Sequence, residues 1–279
     1  MASKEWPADQ VAKAEAFKAL HEGPDLFIIP NPWDEGTARY FEAEGFKALA
    51  TTSAGYAHSR GRLDGGITRE EKLAHCRAIT AATSLPVNAD TENCYGDAPE
   101  TVAETVRLVA AAGVVGCSVE DYTDAGGGRL YDFDHAVERV AAGVEAALGL
   151  GFPFTLTARA EALFRGLADL EDACRRLEAF EKAGADVVYA PGLQTIKDVR
   201  QVVRSVSRPV NVLARPTLSI AELADAGVKR VSLGGALYIA AMGGMVRAVR
   251  EMTGFGTFSE LAKAADGREV PAALRKWSE

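Results

Sequence analysis

EKAGADVV, residues 181–188, ends a helical stretch on a glycine and passes at once into a buried-strand sequence. The same order of types recurs as EAEGFKAL at 42–49, AAAGVVGC at 110–117 and ADAGVKRV at 224–231. Glycine takes the left-handed turn that closes a helix, and the β-branched residues after it favour an extended strand. The recurrence predicts repeated helix-to-strand units. Reading outward, short apolar runs predict strands at Leu26–Pro30, Ala48–Ser53, Pro86–Asp90, Gly116–Glu120, Phe154–Arg159, Val187–Pro191, Val210–Ala214 and Arg230–Gly234. Helical spacing predicts helices at Gln10–His21, Glu35–Ala43, Arg69–Thr83, Pro99–Ala112, Asp134–Leu148, Asp169–Ala183, Thr195–Ser205, Ile220–Ala226 and Ala236–Met252. Alternating strands and helices require a parallel sheet with right-handed crossovers. Eight such units in about 250 residues match an α/β fold of the (β/α)8 TIM-barrel type.

No Pro-, Ser- or Gly-rich linker divides the chain. Residues 1–253 are therefore expected to form one barrel domain and 254–279 a C-terminal appendage, with PAALRKWSE as a surface terminus. The 279 residues are 48% hydrophobic, enough for a large core. A net charge of −8 without any Lys/Arg block predicts no nucleic-acid partner and favours small-molecule chemistry. Cysteines 76, 94, 117 and 174 form no CxxC pair. Together with an N-terminus lacking an apolar signal core, and with no run near the roughly 18 apolar residues of a membrane span, this predicts reduced thiols in a soluble cytoplasmic protein.

In such a barrel the reactive groups gather at the carboxyl ends of the strands. Asp90 and Glu120, with Asn88 beside them, offer hard oxygens suited to Mg²⁺, with Mn²⁺ as the alternative. Asp97 and Asp121 are expected to cap the following helices instead. Arg159 ends a buried strand, where its charge needs acids or an anionic ligand. Ser53-Ala54-Gly55 is either a plain loop or a backbone cradle for a carboxylate. His21, His58, His75 and His135 make no metal pattern and read as structural or surface residues. Cys94 is expected to be a small hydrophobe, and Gly126-Gly127-Gly128 a mobile gate.

Taken together, TTSAGYA (51–57), GRLDGG (61–66), VNADTENCYGD (87–97), SVEDYT (118–123), LTARAEAL (156–163), YAPGL (189–193), PVNVLA (209–214) and RVSLGGALY (230–238) resemble the isocitrate lyase/phosphoenolpyruvate mutase (phosphonomutase) superfamily. The resemblance runs from about Phe27 to Met252. It implies a phosphoenolpyruvate-mutase-like barrel, Mg²⁺, a small carboxylate substrate and a homo-oligomer, usually a tetramer, in which the last barrel helix is exchanged between subunits. It further implies Asp90 and Glu120 as metal-site carboxylates, Asp64 near the metal waters, and Arg159, Glu120 and Asp64 as the catalytic set. Ser53, Ala54, Gly55, Asn88, Arg159, Glu161 and Asn211 would hold the substrate, with Trp33 and Tyr56 as weaker candidates for the walls. The sequence departs from the family where Asn88 replaces an acid, and the loop after Glu120 lacks the Lys-Lys-Cys-Gly-His segment of the isocitrate and methylisocitrate lyases.

The implied activity is Mg²⁺-dependent cleavage or formation of a C–C bond beside a carboxylate of a 2-oxo or 2-hydroxy (di)carboxylic acid, through an enolate-like intermediate. The alternatives are an oxaloacetate hydrolase or decarboxylase, a C–P bond enzyme, or a non-catalytic oxo-acid binder. On sequence grounds Arg159→Ala is expected to fold normally and lose about a hundredfold in turnover.

Overall fold

The computed structural model describes residues 5–277. Eight parallel strands form the barrel: β1 Phe27–Ile29, β2 Leu49–Ala50, β3 Val87–Ala89, β4 Gly116–Glu120, β5 Thr155–Arg159, β6 Val187–Tyr189, β7 Val210–Leu213 and β8 Arg230–Ser232. Hydrogen-bonded ladders run in the order β1-β8-β7-β6-β5-β4-β3-β2. At the remaining seam the Ala50 N–H donates to the Pro30 carbonyl at 3.0 Å, and Asn31 Nδ2 donates to the Thr51 carbonyl at 3.1 Å. The (β/α)8 expectation holds.

The predicted glycine turns sit at the helix ends. Gly45, Gly113, Gly184 and Gly227 have φ of 85°, 94°, 103° and 87°, a region in which a Cβ is strained. Side-chain caps begin the helices: Thr68 with Glu71, Thr195 with Asp198 and Ser219 with Glu222 form reciprocal capping boxes. The helix Leu170–Lys182 buries Ala173, Cys174, Leu177 and Phe180, one stripe at helical spacing turned to the sheet.

Register sets which side chains share the barrel mouth. Glu120 pairs with Arg159, and Arg159 with Tyr189, so an acid, a cation and a phenol from three adjacent strands stand in one layer. Below them the interior is polar, with Thr157, Asn211 and Arg230 all buried.

Several boundaries differ from the sequence reading. β2 stops at Ala50, because Thr52 accepts the Gly55 N–H and caps a helix at Ser53–Ser59. A short hairpin, Tyr122–Thr123 with Arg129–Leu130, and a helix at Ala162–Arg165 were not foreseen. The last barrel helix extends through Phe255 to Gly256. The helix Glu269–Leu274 packs against the helix Glu35–Ala43, so this part of the tail is more than a loose surface end.

Asp97 and Asp121 cap no helix. Asp97 accepts the Tyr131 hydroxyl at 2.6 Å, and Asp121 accepts the Glu161 N–H at 2.8 Å. All four cysteines are free and buried. Among the described residues no helix is long and apolar enough to cross a membrane.

His21 ties the barrel floor to the N-terminal helix. Its Nε2 faces Arg230 Nη1 at 3.3 Å and its Nδ1 faces the Phe17 carbonyl at 2.8 Å. Since Arg230 can only donate, Nε2 accepts and Nδ1 carries the proton. Burial, with Arg230 adding to it, holds the imidazole pKa down at about 3. The unfolded chain, titrating near about 6.5, therefore gains a proton that the fold resists, and stability falls as pH drops from that value toward 3. Urea denaturation should show wild type losing about 2 kcal/mol relative to His21→Gln between pH 7 and pH 5. A constant difference across that range would exclude a buried neutral His21.

Candidate active site

Arg159, the last residue of β5, organises the mouth. Its Nη1 lies 2.8 Å from Glu120 Oε1 and 3.3 Å from Asp90 Oδ1, while Nη2 and Nε lie 2.7 and 2.8 Å from Glu161 Oε1. The guanidinium carbon sits 5.0 Å from the centre of the Tyr189 ring. Three carboxylates from three strand ends thus converge on one cation. They stand beside a cavity of about 380 Å³ lined by Ser53, Ala54, Asp64, Asp90, Glu120 and Arg159 among others.

The acids are not equivalent. Burial pushes the Asp90 carboxyl up, but Arg159, Lys72 and the Ser53 N–H at 2.9 Å together hold it below the usual range. Lys72 is buried and donates to Thr51 Oγ1, which in turn accepts the Asp90 N–H. Glu120 goes the other way: burial and the facing carboxylates of Glu161 and Asp90 raise it well above the usual range, against the pull of Arg159. Burial and the neighbouring Asp90 also raise Asp64. One low and one high carboxyl side by side suit a site that holds charge and exchanges protons.

Sequence reasoning passed over Glu92. Its carboxyl lines the cavity, burial and the charges of Asp90 and Asp64 raise its pKa to about 7, and its Oε1 is buried without a hydrogen-bond partner. Glu92, Cys94 and Tyr95 all have positive φ, at 50°, 61° and 64°. Non-glycine residues are strained there, and neighbouring contacts must hold the conformation. Fully buried Arg139 supplies them, donating at 2.6 Å to the carbonyls of Asn93, Gly96 and Asp97. Asp124, Arg165 and Tyr189 also line the cavity and were also missed. An acid at a strand end such as that of PVNAD (86–90) is visible in a sequence, whereas Asp124 and Arg165 belong to the hairpin and short helix that no periodicity announced.

Not every expected residue reaches the cavity. Ser53 and Ala54 do, but the Gly55 N–H is spent on Thr52 Oγ1 at 3.1 Å. Asn88 and Asn211 line a separate cavity of about 50 Å³ deeper in the barrel, beside Arg230. Asn211 is held by Arg230 Nε and Ser232 Oγ, both at 2.9 Å. Glu161 is fully buried behind Arg159, so it orients the guanidinium instead of facing a ligand.

Trp33 packs edge-on against Tyr238, and Tyr56 stacks on buried His75 at 3.8 Å; neither lines the cavity. Cys94 is buried, its thiol pushed up to about 11 by burial, which leaves it unreactive. Gly128 has a φ of 88°, where any Cβ is strained, and a Cβ there would also press on the Tyr122 hydroxyl, so the hairpin favours a glycine at this position.

The nearly closed parallel barrel, with an arginine and several carboxyl groups at the carboxyl ends of its strands, is that of an enzyme of the lyase/mutase class, as the family match and the relatives show. The phosphoenolpyruvate phosphomutase family pattern matches residues 17–253, and the chain belongs to that family. An uncharacterised protein of Mycobacterium tuberculosis strain H37Rv is 32% identical over 93% of this chain and 92% of its own. A probable 2-methylisocitrate lyase of Corynebacterium glutamicum is 30% identical over 67% of this chain and 62% of its own. A provisional lyase/mutase from Burkholderia cenocepacia J2315 superposes with a TM-score of 0.91 at 51% identity, covering 96% of this chain and 98% of its own. A phosphonopyruvate hydrolase solved with oxalate and Mg²⁺ has a TM-score of 0.81 at 25% identity, covering 95% of this chain and 96% of its own.

The geometry revises one expectation. Removing Arg159 would strand Asp90, Glu120 and Glu161 without their shared counter-charge, so Arg159→Ala is not expected to fold normally. Breaking a buried pair by deleting one partner costs about 3–5 kcal/mol. Arg159→Met should lose stability on that scale in urea at pH 7, and a loss below about 1 kcal/mol would show that the three acids do not depend on this cation.

Proposed function

We propose that the protein is a Mg²⁺-dependent lyase that breaks or forms a C–C bond beside a carboxylate of a small 2-oxo or 2-hydroxy (di)carboxylic acid, through an enolate-like intermediate. The observation that carries this reading is Arg159 held among Asp90, Glu120 and Glu161 at the edge of a cavity sized for a small acid. The donor set fits a hard dication: Asp90, Glu92 and Glu120 offer only oxygen, and Glu92 Oε1 is buried and unpartnered. Among the described residues no three Asp, Glu, His or Cys side chains close into a direct three-point site, so an ion held here would need waters to complete its coordination. Asp90 and Glu120 would hold the ion, with Asp64 and Glu92 in reach of its water shell. When bound, the ion supplies positive charge for the oxygens of a developing enolate.

The chain's own residues do the rest. Ser53 and Ala54 at the short helix start form the wall for the substrate carboxylate. Arg159 keeps part of its hydrogen-bonding fork for the oxygen that gains charge, and Glu161 fixes the plane of that fork. Burial and the facing carboxylates of Glu161 and Asp90 raise the Glu120 carboxyl well above the usual range, and a bound dication would hold it ionised. The hairpin 122–130 lies over the cavity through Tyr122, Thr123 and Asp124 and acts as the gate that excludes water.

The test is a panel of 2-oxo and 2-hydroxy di- and tricarboxylic acids with Mg²⁺ or after EDTA, read by release of pyruvate, glyoxylate or another oxo acid. Turnover that survives EDTA, release of carbon dioxide alone, or turnover only of phosphonopyruvate added to the panel, with phosphate release, would reject the lyase reading. Mn²⁺ titrated by electron paramagnetic resonance reports the site independently of catalysis. Asp90→Asn should weaken Mn²⁺ binding at least tenfold, and unchanged affinity would remove Asp90 from the metal site.

The proposal includes a cytoplasmic homo-oligomer with exchange of the last barrel helix. In the helix Ala236–Phe255 only Ala248 is buried, while Ile239, Met245, Val246, Val249 and Phe255 are exposed. So much apolar side chain in water calls for a covering surface. Light scattering after size exclusion should give a dimer or tetramer, and Met245→Asp with Val249→Asp should dissociate it. A monomeric wild type would overturn this assembly.

A further inference from the structure

Glu161 is fully buried and binds two arginines at once. Its Oε1 takes Arg159 Nη2 at 2.7 Å, and its Oε2 takes Arg165 Nε at 3.3 Å. The backbone N–H of Glu161 is in turn held by Asp121 Oδ1 at 2.8 Å, so the carboxylate that joins the two cations is itself fixed.

The two arginines are differently committed. Arg159 already meets Asp90, Glu120 and Glu161. Arg165 has one charged partner, and its terminal nitrogens carry no hydrogen bond from any described residue. Its guanidinium carbon lies 4.0 Å from the centre of the Tyr122 ring, which holds the plane but consumes no N–H. Both arginines line the same cavity.

We propose that Arg165 is the anchor for a second carboxylate of the substrate, so that the site selects diacids over simple 2-oxo monoacids. This inference rests on the oxo-acid reading above and deepens it. The cavity walls other than Arg159 and Arg165 are acidic or uncharged: Asp64, Asp90, Glu92, Glu120 and Asp124 on one hand, Phe164, Pro191, Leu213 and Leu233 on the other. The rest of the lining offers carboxyl groups, apolar walls and neutral polar groups such as Ser53, Asn93, Tyr95 and Thr123, so among the described lining residues only Arg165 brings a positive charge not already shared among three acids to offset a distal carboxylate. The unfilled Arg165 fork offers the two parallel N–H donors that a carboxylate accepts.

Arg159 and Arg165 are bridged by the two oxygens of one carboxylate, at 2.7 and 3.3 Å, so the two cations are close neighbours and a short diacid is the ligand proposed to span them. A long chain would overshoot Arg165. Because Arg165 stacks on Tyr122, the first residue of the hairpin, a distal carboxylate seated there would also touch the gate.

Calorimetric titration of the Mg²⁺-loaded enzyme separates the possibilities. The probes are oxalate, whose two adjacent carboxyl groups mimic only the carboxylate-and-oxo end, and 3,3-difluorooxaloacetate, which places a carboxylate at the distal end. Arg165→Met should weaken 3,3-difluorooxaloacetate at least tenfold and oxalate less than threefold, and Arg165→Lys should recover part of the difference. Thermal melting of both variants confirms that they fold; the lysine variant keeps the cation if the methionine variant does not. Equal losses for the two ligands, or none, would overturn the role of Arg165 while leaving the parent reading intact. A wild type that binds neither ligand would overturn both.

Discussion

One guanidinium holds the mouth of this barrel together. Glu120, Asp90 and Glu161 reach it from three successive parts of the chain, and each would be costly to ionise in that space without Arg159. The attraction is bought at the expense of burying all four groups, which is why their proton affinities are driven apart: Asp90 stays low, Glu120 is pushed high. A surface cluster of the same residues would be screened by water and would titrate nearly normally. Placement by parallel register, with Glu120 opposite Arg159 and Arg159 opposite Tyr189, is what converts ordinary side chains into a reactive set.

Around this centre the support is built in layers. Asp121 holds the Glu161 backbone and pairs with Arg176 at 3.2 Å, and Thr51 passes the position of Lys72 to the Asp90 backbone. The barrel floor is polar too, but it answers to a different arginine: Arg230 binds Asn211, Thr157 and neutral His21, and among the described residues no carboxylate pairs with it. Asn88 and Asn211 belong to that lower network, one layer beneath the cavity. An amide at position 88 therefore adds no charge to the mouth, and the carboxyl group of Glu92 lies in the mouth instead.

Much of this was legible in the sequence, for reasons that can be named. The glycine turns at Gly45, Gly113, Gly184 and Gly227 and the capping pairs are local chemistry, so they survive in any context. Asp90, Glu120 and Arg159 were legible because polar residues directly after buried strands have only one place to go in a barrel. Glu161 and Asn211 were placed in the right neighbourhood but at the wrong depth, since side-chain direction along a strand end depends on where the strand stops. Arg165 was invisible: it stands on a four-residue helix, Ala162–Arg165, that makes no periodic signal. Asp97 and Asp121 misled for the opposite reason, because an acid before a helix looks like a cap until a stronger partner, Tyr131 or Arg176, claims it.

The two flanks of the cavity are made of different material. On one side the 92–97 segment keeps three left-handed non-glycine residues in place under the grip of Arg139; on the other, the hairpin ends in three consecutive glycines with little packed on Gly126 and Gly127. The arrangement is that of a vice with one fixed jaw and one sliding jaw. Under the gate proposed above, shape recognition would fall to the rigid side and opening and closing to the other, so that each could change during evolution without disturbing its counterpart.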